Sequence, residues 1–287
     1  MHLDSRIEEK LKALQKWFEG KPGVLVAFSG GVDSSLVAAV AHYVLGDKAV
    51  AVTAESATLA PWELGEARRV AEKLGVRHRV ITVNELANPG FASNPPNRCY
   101  ICKKELIVEL KRVAAELGLG TIVDGTNADD LKVHRPGALA LREEGVHSPL
   151  AEVGVTKDEV RKLAKHLGLP TAEKPSMACL ASRFPYGQRI TAESLRRVAE
   201  AEAFIQSLTG VRQLRVRDHD GIARIEVDPS ERRLFFDEER MDRVAERLKA
   251  LGFRYITIDL QGYRSGSLDE VLPEKLVPND ARNTKPS

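Results

Sequence analysis

Apolar residues in the first two thirds of the chain fall into two alternating kinds of run. Val24 to Phe28, Ala49 to Thr53, Arg79 to Val83 and Thr121 to Asp124 are short and β-prone. Between them, Asp33 to about Leu45, Pro61 to Leu74 and about Cys102 to Leu117 carry helical spacing. Lys157 to Leu167 adds another helix, with Val160, Leu163, Ala164 and Leu167 on one side and Gly168 and Pro170 as stop signals. Strands alternating with helices predict an α/β fold, a doubly wound parallel sheet covered on both faces. From Thr191 the order changes. A helix runs through Ile205, strands lie near Val211 to Val216 and Ala223 to Val227, a helix runs through Leu251, and a strand spans Tyr255 to Asp259. That order predicts a second, smaller α+β domain. The expected division is 1–188, 189–272 and a mobile, proline-bearing tail at 273–287.

Composition narrows the partners. Of 287 residues, 43% are hydrophobic and 29% charged, the profile of a globular protein large enough for two cores. A formal net charge of +2 lacks the polycationic footprint of a dedicated nucleic-acid binder. The amino end, Met1 to Lys16, is charged and helical in pattern, with no apolar stretch long enough for a signal peptide or membrane span, so a cytoplasmic location is expected. Three cysteines, Cys99, Cys102 and Cys179, are an odd number that turns attention from disulfides to metal or redox chemistry.

The first strand-to-helix turn reads Ser29-Gly30-Gly31-Val32-Asp33-Ser34-Ser35. Backbone amides and the positive end of the helix dipole there suit a phosphate. Gly30 and Gly31 admit close approach, Ser29, Ser34 and Ser35 offer hydroxyls, and Asp33 suits a magnesium ion bridging phosphate oxygens. A tight turn capped by Asp33 or Ser34 is the plainer alternative. The loop lacks the GxxxxGK[ST] spacing and its lysine, which disfavours γ-phosphoryl transfer. It resembles instead the SGGxDS PP-loop of ATP pyrophosphatases. That resemblance implies ATP cleavage between the α and β phosphates and adenylylation of a substrate oxygen. It also implies that the end of the second strand, Thr53, Ala54, Glu55 and Ser56, meets the adenine. Asp124 to Asp130, with Gly125 and Asn127, follows another strand at the carboxyl edge of the sheet, where ligands of open α/β folds collect; an Asp/Asn turn is the alternative.

The proline-rich stretch from Asn94 delivers Cys99 and Cys102 onto the start of a helix, beside Arg98, Lys103 and Lys104, which favour thiolates. Cys179 lies on a different loop. Four readings stand together: inert buried cysteines, a thioredoxin-like dithiol, a zinc site completed by His134 or His147, and a [4Fe-4S] cluster with one open iron.

Taken together, SGGVDSS, NPPNRCYICKKEL, DGTNADD, SPLAEVGVTKDEVRKLAKHLGLP and KPSMACLASRFPYGQRIT resemble the LarE family of ATP-dependent sulfur transferases from about Lys21 to Thr191. The likeness continues through Leu214-Arg215-Val216-Arg217, Ala223 to Glu226 and Asp259 to Gly266. The resemblance implies pyridinium-3,5-biscarboxylic acid mononucleotide as substrate and thiocarboxylates destined for the nickel-pincer cofactor of lactate racemase. Some members sacrifice the sulfur at the position matching Cys179, while others carry a cluster. The added pair Cys99 and Cys102 makes this chain look like the cluster-bearing type, with Cys179 as third ligand and sulfide, or another sulfur donor, required. Ser182 and Arg183 would position the adenylate, a salt-bridged arginine being the competing reading; Arg215 and Arg217, on one face of a strand, would bind a phosphate, an exposed basic face being the alternative; and Glu202 and Glu226 would bind metal or orient substrate. The family's habit implies a homo-oligomer, a hexamer being the expectation. Competing readings are an iron-sulfur-dependent tRNA thiolase, a PP-loop amide-forming ligase and a non-enzymatic nucleotide sensor with structural zinc.

Overall fold

The structure, a computed structural model, describes residues 4–132, 136–175, 178–264 and 266–271; His134 and the 273–287 tail lie outside the described residues. Two compact units form: Met1–Val83 with Asn97–Met177, and Asn84–Pro96 with Ala178–Ser287. The line expected at 188 therefore runs inside the second unit, which also takes a segment from the middle of the first. Hydrogen bonds account for this. The Asn94 side-chain amide donates to the carbonyls of Phe184 (3.2 Å) and Pro185 (2.7 Å), Gly187 N–H donates to Asn94 (2.9 Å), and Ile190 N–H donates to Ala92 (2.8 Å).

In the first unit the chain runs α1 (Ser5–Phe18), β1 (Val24–Ala27), α2 (Val32–Leu45), β2 (Ala49–Glu55), α3 (Pro61–Leu74) and β3 (Arg77–Thr82). After the excursion that includes α4 (Pro89–Ala92) come α5 (Arg98–Glu116), β4 (Thr121–Val123), α6 (Pro136–Glu143), α7 (Pro149–Glu152) and α8 (Lys157–His166). The strands form one parallel sheet in the order β3-β2-β1-β4, with Val24 opposite Ala49 on one side and Thr121 on the other. Alternation assigns the faces. Val24, Val26, Ala49 and Ala51 join one core with α1, α2 and α8, whereas Leu25, Val50 and Val52 join another with Leu110 and Val113 of α5. The doubly wound expectation holds, and α2, hydrophobic on nearly every side, is its buried centre.

In the second unit, α9 (Ala192–Thr209) precedes β5 (Leu214–His219), β6 (Ile222–Val227), α10 (Arg232–Phe235), α11 (Glu238–Ala250) and β7 (Tyr255–Ile258). β5 and β6 are antiparallel and β6 and β7 parallel, a small mixed sheet. Asp220 and Gly221, with φ of 50° and 86°, make the tight β5–β6 turn that needs two left-handed residues. No described helix is long and apolar enough to cross a membrane.

Candidate active site

The loop after β1 is tied from within. Ser34 Oγ donates to the Gly31 carbonyl (3.2 Å), accepts from Ser29 N–H (3.3 Å) and lies 3.1 Å from Ser29 Oγ. Gly30 has φ of +68°, and a Cβ there would stand 2.8 Å from Ala67 Cα, so α3 packs directly on the loop. Gly31 differs: its φ of −82° suits any residue, and a Cβ would meet only Ser29 Oγ at 3.3 Å. As N-cap of α2, Gly31 provides no side-chain cap, which leaves the first-turn amides for an anion. Ser35 Oγ is fully buried with no partner among the described residues. An uncapped helix end, a small-residue cradle and an orphaned hydroxyl fit a phosphate chain.

β1 and β4 are neighbours at the point where strand order reverses, the crevice where open α/β sheets bind ligands. Gly125 is needed there, since a Cβ would lie 2.8 Å from Ser34 N. Asn127 uses its amide oxygen to accept from Asp129 N–H (2.9 Å) and Asp130 N–H (3.3 Å), while its Nδ2 donates to Asp33 Oδ1 (3.1 Å). Asp33 Oδ2 is paired with Lys157 Nζ at the start of α8. Lys174 Nζ donates to the Gly30 carbonyl (3.1 Å) and pairs with Glu66 (2.7 Å), and Arg161 holds the backbone there through the carbonyls of Ala172 (2.8 Å) and Lys174 (3.2 Å). Lys157 and Lys174 thus bring to the loop the ammonium groups its own sequence lacks. Sequence reading misses both because they are 124 and 144 residues from their loop partners.

At the end of β2, Thr53 is buried and structurally engaged. Its hydroxyl donates to the Phe28 carbonyl (2.7 Å), so the 2.8 Å contact with His78 requires His78 Nε2–H to donate. Ala54 is half-buried and Glu55 exposed. Burial, reinforced by Arg68, holds His78 below its ordinary value of 6.5. The unfolded chain therefore takes up a proton before the folded one does, and stability falls as pH drops below about 6.5, levelling once the folded-state histidine is also protonated. Urea titrations across that range are expected to show this slope, and His78→Gln to reduce it, the remainder coming from His219, which burial also holds below 6.5.

The cysteines are thiols, with Cys99 and Cys179 exposed and Cys102 half-buried. α5 begins at Arg98 rather than near Cys102, so both cysteines of the pair lie within the helix. Cys99 lies in that first turn and Cys102 one turn on, on the same side of the helix. Arg98 is buried, and Lys104 is engaged by Glu143 (2.8 Å) and Glu144 (2.6 Å) at the end of α6, so neither is an open charge beside the thiols. Among the described residues, no group of three or more His, Cys, Asp and Glu side chains that could hold a metal ion is assembled.

In the second unit, the residues assigned from sequence to adenylate, phosphate and metal form one largely buried polar network. Arg183 makes a two-pronged pair with Glu202 (2.8 and 2.9 Å) and donates to the carbonyls of Ala178 (2.8 Å) and Cys179 (3.2 Å) and to Ser182 Oγ (3.0 Å). Arg217 pairs with Glu226 (2.8 Å) and donates to the Ser182 carbonyl (2.6 Å). Glu226, fully buried, also takes Arg224 (3.0 Å) and Ser267 Oγ (2.8 Å). Arg215 stacks its guanidinium over Tyr263 and is held below the usual arginine range by burial and by Arg183. Glu202 and Glu226 thus differ from open metal ligands, since guanidinium groups already engage their oxygens. Arg215 and Arg217 are not an exposed basic face, since β5 is buried along nearly its whole length.

The sequence profile described as asparagine synthase matches residues 12–90, the part that carries the PP-loop. The pyridinium-3,5-bisthiocarboxylic acid mononucleotide synthase of Lactiplantibacillus plantarum is 40% identical over 87% of this chain and 90% of its own length. The chain belongs to the LarE family. An uncharacterized protein of Synechocystis sp. is 46% identical over 93% of this chain and 99% of its own. The tRNA-specific 2-thiouridylase of Rickettsia africae is 30% identical but covers only 53% of the chain, so the tRNA thiolases are more distant from this LarE member.

Proposed function

We propose that this chain is an ATP-dependent sulfur transferase that adenylylates the carboxylates of pyridinium-3,5-biscarboxylic acid mononucleotide and converts them to thiocarboxylates for the nickel-pincer cofactor of lactate racemase. The observation that supports this best is the relationship to the L. plantarum synthase along nearly the whole chain. A substrate carboxylate oxygen attacks the α-phosphorus of ATP, pyrophosphate departs, and AMP makes the carboxyl carbon open to a sulfur nucleophile that expels AMP. The amides at the start of α2 hold the phosphate chain, Asp33 is the residue that would hold magnesium, and Arg183 fixes the backbone that bears Cys179. Three reduced, incompletely buried thiols are suitable donors for iron. Cys99, Cys102 and Cys179 are the residues that would hold a [4Fe-4S] cluster, which when bound supplies an iron able to carry sulfide.

Anaerobic reconstitution with iron and sulfide, iron counting and Mössbauer spectra test the sulfur source. The expected result is about four irons per chain, lost in Cys99→Ala, Cys102→Ala and Cys179→Ala alike. Absence of iron together with a requirement for Cys179 alone would replace the cluster by sacrificial transfer from that cysteine. Pyrophosphate release that depends on ammonia rather than on the pyridinium dicarboxylate would overturn the whole reading in favour of an amide ligase.

A further inference from the structure

Asp33 is the carboxylate best placed to hold a metal beside the phosphate cradle, yet both its oxygens face donors: Asn127 Nδ2 at Oδ1 (3.1 Å) and Lys157 Nζ at Oδ2. An ammonium group on that carboxylate repels a divalent cation and occupies its approach. We propose that Lys157 is an exchangeable counter-ion, which neutralises Asp33 until nucleotide arrives and then passes to the phosphate oxygens as magnesium takes its place. This rests on the reading of the loop as an ATP site.

The surroundings favour movement of the side chain alone. Lys157 is the first residue of α8. Its N–H donates to Asp129 Oδ2 (2.9 Å), and the preceding Thr156 shares a capping box with Glu159, so the backbone is fixed on both counts. The Lys157 side chain is 36% exposed and that of Asp33 22%, so neither is sealed in and the four-carbon stem has room to rotate. Asp33 also lies in the first turn of α2, next to the amides without a side-chain cap where phosphate would lodge. Phosphate oxygens arriving there offer the ammonium a new partner within the reach of its stem. Neither group is left without an opposite charge, because Asp33 exchanges one cation for another while Lys157 exchanges one anion for another. The consequence is coupled binding: magnesium alone is turned away, and magnesium with ATP is accepted.

Manganese, followed by electron paramagnetic resonance of the free ion, is the probe, with ATP affinity measured in parallel by equilibrium dialysis. Wild-type protein is expected to leave free Mn2+ unchanged without nucleotide and, with ATP, to lower it beyond what the same ATP does without protein. Lys157→Met is expected to bind Mn2+ without nucleotide and to lose on the order of 10- to 100-fold in ATP affinity, the effect of removing a charge-assisted hydrogen bond. Lys157→Arg keeps the charge and should follow wild type in both assays, with circular dichroism checking that each variant is folded. Unchanged ATP affinity in folded Lys157→Met, no nucleotide-free Mn2+ binding by it, or strong Mn2+ binding by wild type alone would each overturn the exchange. Failure of wild type to bind ATP at all would instead remove the ATP reading beneath it.

Discussion

Replacing Arg183 by methionine is expected to destabilise the second unit by about 3–5 kcal/mol, the cost of leaving a buried charge without its partner. Arg183 is 1% exposed and Glu202 3%, so water cannot solvate the carboxylate left behind. Val216 N–H (2.9 Å) would remain as one donor to Glu202, too little for an ionised group. The same change frees the carbonyls of Ala178 and Cys179, so sulfur transfer should fall further than stability alone explains, while ATP binding at a loop in the other unit persists. Urea unfolding and a single-turnover transfer assay read the two effects. Adding Glu202→Met should recover part of the stability, because apolar side chains of similar volume often replace a buried ion pair at little cost, but not the transfer rate. A loss below about 1 kcal/mol, the level of an exposed pair, would mean that Arg183 is not the clamp described.

Gly30→Ala is expected to cost about 2–5 kcal/mol, combining a left-handed backbone with overpacking. The added Cβ would press on Ala67 Cα, which is backbone of α3 and cannot rotate away, so the loop itself must shift and adenylylation should be lost. Gly31→Ala is the control. Its backbone is extended and its Cβ meets only a hydroxyl, so the melting temperature should hold while ATP affinity drops, since the methyl fills space meant for phosphate. Equal destabilisation by both would show that the two glycines serve the fold alike.

The parallel sheet was legible because its strands are short apolar runs between well-spaced helices, and the ends of α3 at Pro61 and Leu74 match the pattern. The loop after β1 was legible because every residue in its sequence signature is contiguous. α6 and α7 were not, since eight and four residues give too few turns for a period to show. Lys157 and Lys174 were illegible for another reason. Each looks like an ordinary surface lysine until the fold brings it to Asp33 or to the Gly30 carbonyl. Arg215 and Arg217 alternate along β5 as an exposed basic face would, and only the carboxylates and aromatic ring packed around them reveal a buried role.

The return of the chain through Asn84–Pro96 bears on how the protein is made. Asn94 leaves the ribosome 90 residues before Phe184, whose carbonyl it must meet. The parallel sheet can assemble around this loop, but the loop itself waits for the later segment, which places its closure late in folding. A cut at 188 would split the second unit, because the carboxyl fragment would lack both Asn84–Pro96 and the residues from Ala178 that hold it. The two halves of this enzyme are therefore expected to be inherited and expressed as one piece.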